Sequence, residues 1–321
     1  MPIPPSTSPR PVIVLVGGSG FIGQALSRQL TAAGYAVRVL TRRESLAAAE
    51  AVLPDVHAWQ LPRQPDAAAL TAALQGAVAV VNLVGILHES GRTTFQRVHV
   101  DGVATLIAAC RAAGITRLVQ VSALGASSDA PSAYLRSKAA AEALVRASGL
   151  DWTILQPSVV FGPQDRFLNL FAELAQVMPV LVLACPGARF QPVYVEDVAQ
   201  AVVRALQVGE AVGATVQLGG REVFTLRELI ALVGQWTGVR RPVIGLGPSL
   251  SLLQGALMEL LPVPLMTRDN VRSMEVPNVC TEPLPDWLAL QPASLRLVVP
   301  AYLRPEQGRA RYGRLRTHAG R

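Results

Sequence analysis

Short runs of β-branched and aliphatic residues alternate with stretches of helical period through the first half of the chain. VIVLV at 12–16 precedes a helical pattern over 20–33, and AVRVLT at 36–41 follows it. That is how a strand, a crossover helix and a parallel strand read. The alternation continues with strands at 56–60, 78–83, 117–122 and 152–155 and helices at 67–74, 94–113 and 133–147. Six parallel strands with crossover helices are therefore predicted, a Rossmann-type, doubly wound α/β sheet over 12–160 that is complete near 160. Beyond it the pattern is less regular. Helices near 164–177, 195–206, 226–237, 250–261, 268–274 and 293–303, one strand at 215–218 and intervening prolines predict a smaller C-terminal α+β lobe over 161–303, part of which folds back onto the sheet.

Composition changes this picture at the ends. The 321 residues are 50% hydrophobic, enough for a full sheet and a second lobe. The formal charge of +7 points at first to an anionic partner, but 303–321 holds six arginines against Glu306 and carries +5 of it. The body is then nearly neutral, so a nucleic-acid partner is not expected, and 304–321 reads as a solvated basic tail. MPIPPSTSPRP at 1–11 has neither the apolar run of a secretory leader nor the arginines of a transit peptide and reads as a disordered extension. Cys110, Cys185 and Cys280 are odd in number and unpaired in spacing, which predicts core cysteines, a reducing compartment and no metal site. Mean hydropathy is high at +0.35, yet the most apolar stretch, 246–266, is broken by Pro248, Glu259, Pro262 and Pro264. It is too short of apolar residues to span a bilayer and predicts a docking face instead. Abundant arginine and alanine read as a GC-rich bacterial genome, hence a cytoplasmic location extending to the inner face of the membrane.

GGSGFIG at 17–23 follows the first strand directly and opens the first helix. Gly17 permits the tight turn, Gly20 lets backbone amides approach a pyrophosphate, and Gly23 lets helix and strand pack closely. The helix N-terminus favours the anion. Gly17, Ser19, Gly20, Phe21, Ile22 and Gly23 are accordingly the candidate seat of a nicotinamide dinucleotide. Choice between the two forms falls about 20 residues on, where an acidic side chain holds the ribose 2′-hydroxyl of NAD(H) and a cation accepts the 2′-phosphate of NADP(H). Here the second strand ends Thr41-Arg42-Arg43, with no carboxylate before Glu44. A guanidinium binds phosphate bidentately, so NADP(H) is expected over NAD(H), with Arg42 first and Arg43 its helper.

After the fifth strand, VSALGASSDAPSAYLRSK places Ser122 at a strand end and Tyr134 and Lys138 one helical turn apart on the same face. A neighbouring ammonium is expected to lower a tyrosine pKa by about 1–3 units, and the serine to orient a substrate carbonyl or hydroxyl. Of 29 basic residues only Lys138 is lysine. A compact ammonium that must reach a ribose and a phenol is poorly replaced by a planar guanidinium.

With the glycine turn, Ser122 and YLRSK in place, the chain resembles the short-chain dehydrogenase/reductase superfamily over about 12–210. VNLVGIL at 81–87 resembles the strand end beside the adenine, implicating Val84 and Gly85, and LQPSVVFGP at 155–163 resembles the loop passing the nicotinamide, implicating Pro157 and Val159. VHVDG (98–102), VSALGA, YLRSKAAAE, FGPQDRFLN, RFQPVYVEDVAQAV and, in the second lobe, PLMTRDNV resemble the branch containing subunit nine of the complex I alpha subcomplex and its bacterial relatives. The resemblance implies a tightly held NADPH. It departs from active relatives at His99, where many carry asparagine, and at Gln156-Pro157, where extended relatives often read Arg-Pro.

Three functions follow as alternatives. One is a cofactor-holding accessory protein of a quinone-linked respiratory complex, docking through 246–266 and the basic tail on that complex or on a membrane surface. Another is an active reductase or nucleotide-sugar epimerase/dehydratase, with Tyr134 as acid/base, Lys138 holding the ribose and Ser122 stabilising the reacting oxygen. The third is a redox-sensing regulator. Arg166, Arg189 and Asp197 are candidates for the substrate pocket, with Asp197 alternatively capping a helix that begins near Val195.

Overall fold

A computed structural model describes residues 10–41, 54–62, 65–262 and 264–303. Arg42, Arg43 and Glu44, the extension before residue 10 and the basic tail lie outside the described residues.

The strands of the main sheet are β1 (Val12–Val16), β2 (Ala36–Thr41), β3 (Val56–Gln60), β4 (Ala77–Asn82), β5 (Arg117–Val121), β6 (Asp151–Pro157) and, after four short strands, β11 (Ala214–Leu218). The order is β11-β6-β5-β4-β1-β2-β3, every neighbour parallel. Helices cover both faces, which is why the strands read as unbroken apolar runs. Alternate residues of β1 show this. Ile13 and Leu15 pack with α1 (Phe21–Ala32) and a later helix, α6 (Val195–Gln207), on one side. Val14 packs on the other side with α2 (Ala67–Leu74), α3 (Gly102–Ala112) and α4 (Ala133–Arg146).

The sheet has seven strands, and residue 160 is not its end. β11 adds to β6 after an intervening stretch of the second lobe, with Ala214 beside Thr153 and Leu218 beside Pro157. Period-two alternation locates such a strand but carries no information on which sheet it joins. The helix expected over 94–113 is likewise two pieces. A π-helical turn at Gln96–Asp101 precedes α3, and the extra residue per turn carries His99 to the interior.

The second lobe holds α5 (Leu168–Val177), α7 (Leu226–Thr237), α8 (Pro248–Met258), α9 (Arg268–Ser273), α10 (Leu295–Val298) and α11 (Pro300–Leu303). Its core gathers Phe161, Leu168, Phe224 and Leu229 against Leu295 and Val299. Three two-stranded pairs complete it. β7 (Val160–Phe161) lies beside β10 (Val193–Tyr194), β9 (Arg189–Phe190) beside β12 (Phe224–Thr225), and β8 (Leu181–Leu183) beside β13 (Val243–Gly245). The strand order reverses between β1 and β4, the place where sheets of this kind open a crevice at their carboxyl ends.

Candidate functional site

The glycine turn sits at that crevice. Gly17 takes φ +80°, a left-handed conformation that a side chain disfavours, and a Cβ there would also press on Val84 at 3.1 Å. The Gly20 amide donates to the Gly17 carbonyl at 3.2 Å, closing the turn. Gly20 itself is exposed, and a Cβ on it would meet only the Gly17 oxygen, at 3.3 Å, so space remains in front of it. α1 begins there without a side-chain cap and without an acidic residue in its first turn, leaving the leading amides for an outside anion. Gly23 has a different task. Its Cβ would fall 1.9 Å from the Gly18 oxygen, so α1 crosses the turn in direct backbone contact. Gly18, not picked out by the spacing, is equally tight, since its Cβ would meet that of Leu15 at 2.7 Å. Ser19 and Ile22 are half-buried in the turn, and Phe21 reaches the loop after β7, where a Cβ on Gly162 would meet its ring at 3.0 Å.

Opposite the turn, Asn82 shapes the end of β4. Its amide donates to Gln120 at 2.9 Å and its oxygen accepts from the Val84 amide at 3.2 Å. Gly85 follows, and a Cβ there would lie 3.8 Å from both His99 Nε2 and Lys138 Nζ. The fold thus brings Gly85, His99 and Lys138 to one point. Lys138 is buried and donates to the carbonyl of Val121 at 3.1 Å, directly before Ser122. Burial lowers its pKa to about 8, while Glu142 one turn further on pulls in the opposite direction. Ser122 is buried at the strand end and its hydroxyl has no hydrogen-bond partner among the described residues.

Tyr134 packs edge-on against His99 and Phe95, with ring centroids 5.7 and 5.9 Å apart. The expected lowering of its pKa is not what the fold produces. Burial pushes the phenol up to about 12, and the Lys138 ammonium is committed to the Val121 carbonyl and faces Glu142. Desolvation therefore outweighs the cation.

His99 is a strut. Its Nε2 accepts from the Ile86 amide at 3.0 Å, and Nδ1–H donates to Ser137 Oγ at 2.8 Å, whose hydroxyl donates to the Tyr134 carbonyl at 2.7 Å. These partners require the neutral ring, and burial together with Lys138 lowers its pKa to about 3. The unfolded chain binds a proton near 6.5 that the folded chain refuses, so stability falls as pH drops from 6.5 towards 3. Between pH 6.5 and 5 the loss is about 2 kcal/mol. Denaturant titrations at pH 7.5 and 5 should show this difference in wild type and a clearly smaller one in His99→Gln.

The second lobe supplies contacts whose roles were not assigned from the sequence, two of them from the PLMTRDNV segment. Asp269 of α9 accepts from the amides of Ala133 and Tyr134 at 2.7 and 3.0 Å, and Ser132 caps the Leu135 amide, so the start of α4 is closed by two side chains from different lobes. Asn270 donates to the Leu87 carbonyl at 3.0 Å. Asp269→Ala leaves two helix amides without their acceptor and should cost about 1–2 kcal/mol, read as a lowered unfolding midpoint, with Asp269→Asn retaining part of it. Asn278 holds the loop after β6, accepting from Ser158 Oγ and from the Val159 amide and donating to the Leu124 carbonyl. Pro157, buried, accepts from the Leu124 amide at 2.9 Å. Gln156 donates to the buried Glu142 at 2.8 Å, whose other oxygen takes Arg146. Gln156, which stands where extended relatives often carry arginine, thus shares Glu142 with Arg146 of the helix that bears Lys138.

Other candidates are not brought to the site. Arg166 and Arg189 are exposed. Asp197 does not cap α6: its carboxylate accepts from the Ala293 amide at 2.7 Å, and burial raises its pKa. Cys110 is buried as expected, whereas Cys185 and Cys280 are only half-buried.

A glycine turn at the switch point of a parallel sheet, an uncapped helix start and a buried lysine beside Gly85 opposite the turn define a dinucleotide-binding Rossmann protein. Residues 17–169 match the family described as NAD(P)H-binding, and 125–224 match the 3-beta hydroxysteroid dehydrogenase/isomerase family. The chain is 31% identical over 298 residues to the mitochondrial NADH dehydrogenase [ubiquinone] 1 alpha subcomplex subunit 9 of Arabidopsis thaliana, covering 89% of this chain and 74% of that one. Against the mouse subunit it is 33% identical but spans only 63% of that protein. A ceramide reductase of Caulobacter vibrioides is 31% identical, with 79% of each chain covered. An NADPH-dependent quinone oxidoreductase of Escherichia coli, solved with NADPH, superposes with a TM-score of 0.72 at 20% identity over 91% of this chain and 99% of that one. The chain belongs to the NAD(P)-binding short-chain dehydrogenase and epimerase-like family that includes subunit 9 of the complex I alpha subcomplex.

Proposed function

We propose that this chain holds NADP(H) in preference to NAD(H) and reduces a carbonyl group at Ser122, Tyr134 and Lys138. The observation that carries the reading is the buried Ser122 hydroxyl, left without a partner among the described residues directly after the Val121 carbonyl that holds the lysine. A buried hydroxyl with nothing to bond is costly unless a ligand completes it. The bound dinucleotide supplies hydride. Ser122 donates to the carbonyl oxygen, and Tyr134, protonated throughout the physiological range, gives that oxygen its proton. Lys138 steadies the phenolate left behind and holds the ribose. Gly17, Ser19, Gly20, Phe21, Ile22 and Gly23 seat the diphosphate, while Val84 and Gly85 line one side of the crevice and Pro157 and Val159 the other.

Preference for the phosphorylated form rests on the sequence Thr41-Arg42-Arg43, with Arg42 taking the 2′-phosphate. Arg42→Ala should weaken NADPH binding about 10- to 100-fold, the worth of a charge-assisted contact, and leave NADH unchanged, as measured by calorimetry. Equal loss for both would show that the guanidinium does not select.

A second reading is favoured by one further observation. α8 exposes Leu250, Leu253 and Leu257 along one side, and Leu260 and Leu261 extend the patch. No described helix is long and apolar enough to cross a membrane, so this is a surface face. Several relatives are named as subunits of NADH dehydrogenase, and an accessory subunit of a respiratory complex would bury such a face against its neighbours. Native mass spectrometry separates the two readings. One NADPH per chain that does not turn over with carbonyls or quinones supports the accessory role, and steady NADPH consumption with a carbonyl supports the reductase. The regulator alternative has no feature of the site or of the relatives behind it.

A further inference from the structure

The second lobe has a surface that the dinucleotide site does not use. Between α5 and β8 the chain turns through Val177, Met178, Pro179 and Val180, and the side chains of Val177, Met178 and Val180 are exposed, Val177 at 79%. The turn is held. Met178 N–H bonds the Leu174 carbonyl at 2.8 Å, Leu181 N–H bonds the Pro242 carbonyl at 2.9 Å, and Arg241 Nε donates to the Ala175 carbonyl at 2.8 Å. Apolar side chains fixed in water in this way forgo burial for the sake of something outside the fold. Beside the turn is a hollow of about 400 Å³, walled by Phe171, Leu181 and Ile230 and edged by Arg227, Arg240 and Arg241. No carboxylate lines it. Arg240 is exposed and has no hydrogen-bond or ion-pair partner among the described residues. The β8–β13 pair shows Val182 and Ile244 to solvent, and Gln254 of α8 bonds the Val182 carbonyl, which ties the leucine face of that helix to the same ribbon.

An apolar turn and a hydrocarbon-walled hollow edged by three arginines, Arg240 free among the described residues and Arg227 and Arg241 bonded only to carbonyls, with no carboxylate in the lining, complement an anionic lipid surface. The acyl region of such a surface meets the turn while its phosphates meet the arginines. A second copy bringing the same hollow to this face would offer the arginines no carboxylate from its lining. We propose that this face, 177–180 with Arg240 and Arg241, seats on an anionic phospholipid bilayer, the hollow receiving an acyl chain beneath a phosphate. The proposal is independent of the chemistry at the dinucleotide site.

The test is co-sedimentation of the full chain with vesicles of phosphatidylcholine alone or mixed with phosphatidylglycerol. Binding should require phosphatidylglycerol and weaken with salt. Arg240→Ala should lower it about fivefold, the effect of one basic residue near such a surface. Val177→Asp, at an exposed position, should lower it at least about tenfold through the lost apolar burial, with NADPH binding unchanged as the check on folding. Equal partition into both vesicles, or none, overturns the proposal. So does wild-type binding by both variants, including the case in which removing 304–321 alone abolishes binding. A concentration-dependent dimer dispersed by Val177→Asp would make this a self-interface and overturn it as well.

Discussion

Replacing Tyr134 by phenylalanine should lower carbonyl turnover by about 10²- to 10⁴-fold while leaving NADPH affinity within a few-fold of wild type, since one positioned acid contributes a factor of that size. The ring keeps its packing on Phe95 and His99, and α4 keeps its caps at Ser132 and Asp269, so only the hydroxyl is removed. Lys138→Met should behave differently. In the proposed mechanism its ammonium holds the ribose and steadies the phenolate formed on proton transfer, so turnover and NADPH affinity should fall together. A Tyr134→Phe protein that consumes NADPH with a carbonyl at the wild-type rate sinks Tyr134 as the proton donor, whereas a wild-type protein that holds NADPH without turnover leaves the accessory reading.

Gly23→Ala should abolish the folded dinucleotide site. The added methyl lands 1.9 Å from the Gly18 oxygen and 2.4–2.5 Å from the Gly18 carbonyl carbon and Cα, all backbone, which cannot turn aside as a flexible side chain can. α1 must then lift from β1, carrying Leu26 and Leu30 out of the core. Overpacking of this kind costs about 1–3 kcal/mol when side chains can shift and more when they cannot. Thermal unfolding should therefore fall by about 10 °C or the protein fail to accumulate. Gly20→Ala is the informative partner, because its Cβ meets only the Gly17 oxygen at 3.3 Å. Stability should change little while NADPH affinity collapses, the methyl occupying space the diphosphate needs. Similar losses of stability in both variants would mean that the two glycines share one structural task.

The strands of the N-terminal half were legible because each is a local apolar run between punctuating glycines and polar turns, and the glycine turn because its position between β1 and α1 is itself local. Ser122, Tyr134 and Lys138 were legible for the same reason: one short segment carries all three. The roles of Asp269, Asn270 and Asn278 were not, although PLMTRDNV at 264–271 carries the first two. Each acts across more than a hundred residues of chain, on backbone groups whose need for a partner leaves no mark in composition. An apolar and polar pattern also says nothing about which hydrogen bond a buried histidine makes, so His99 was visible only as a departure from a familiar asparagine.

What the chain's own order of residues determined is the class of fold, the dinucleotide turn and the candidate serine, tyrosine and lysine of the proposed reaction, since these follow from local periodicity and from chemistry carried within single segments. What tertiary structure alone decided is the electrostatic state of the site and its closure. Burial beside Phe95 raises Tyr134 where a neighbouring lysine was expected to lower it, and a carboxylate from the second lobe completes the helix that carries them. Desolvation depends on everything packed around a group, and no window of sequence contains that neighbourhood.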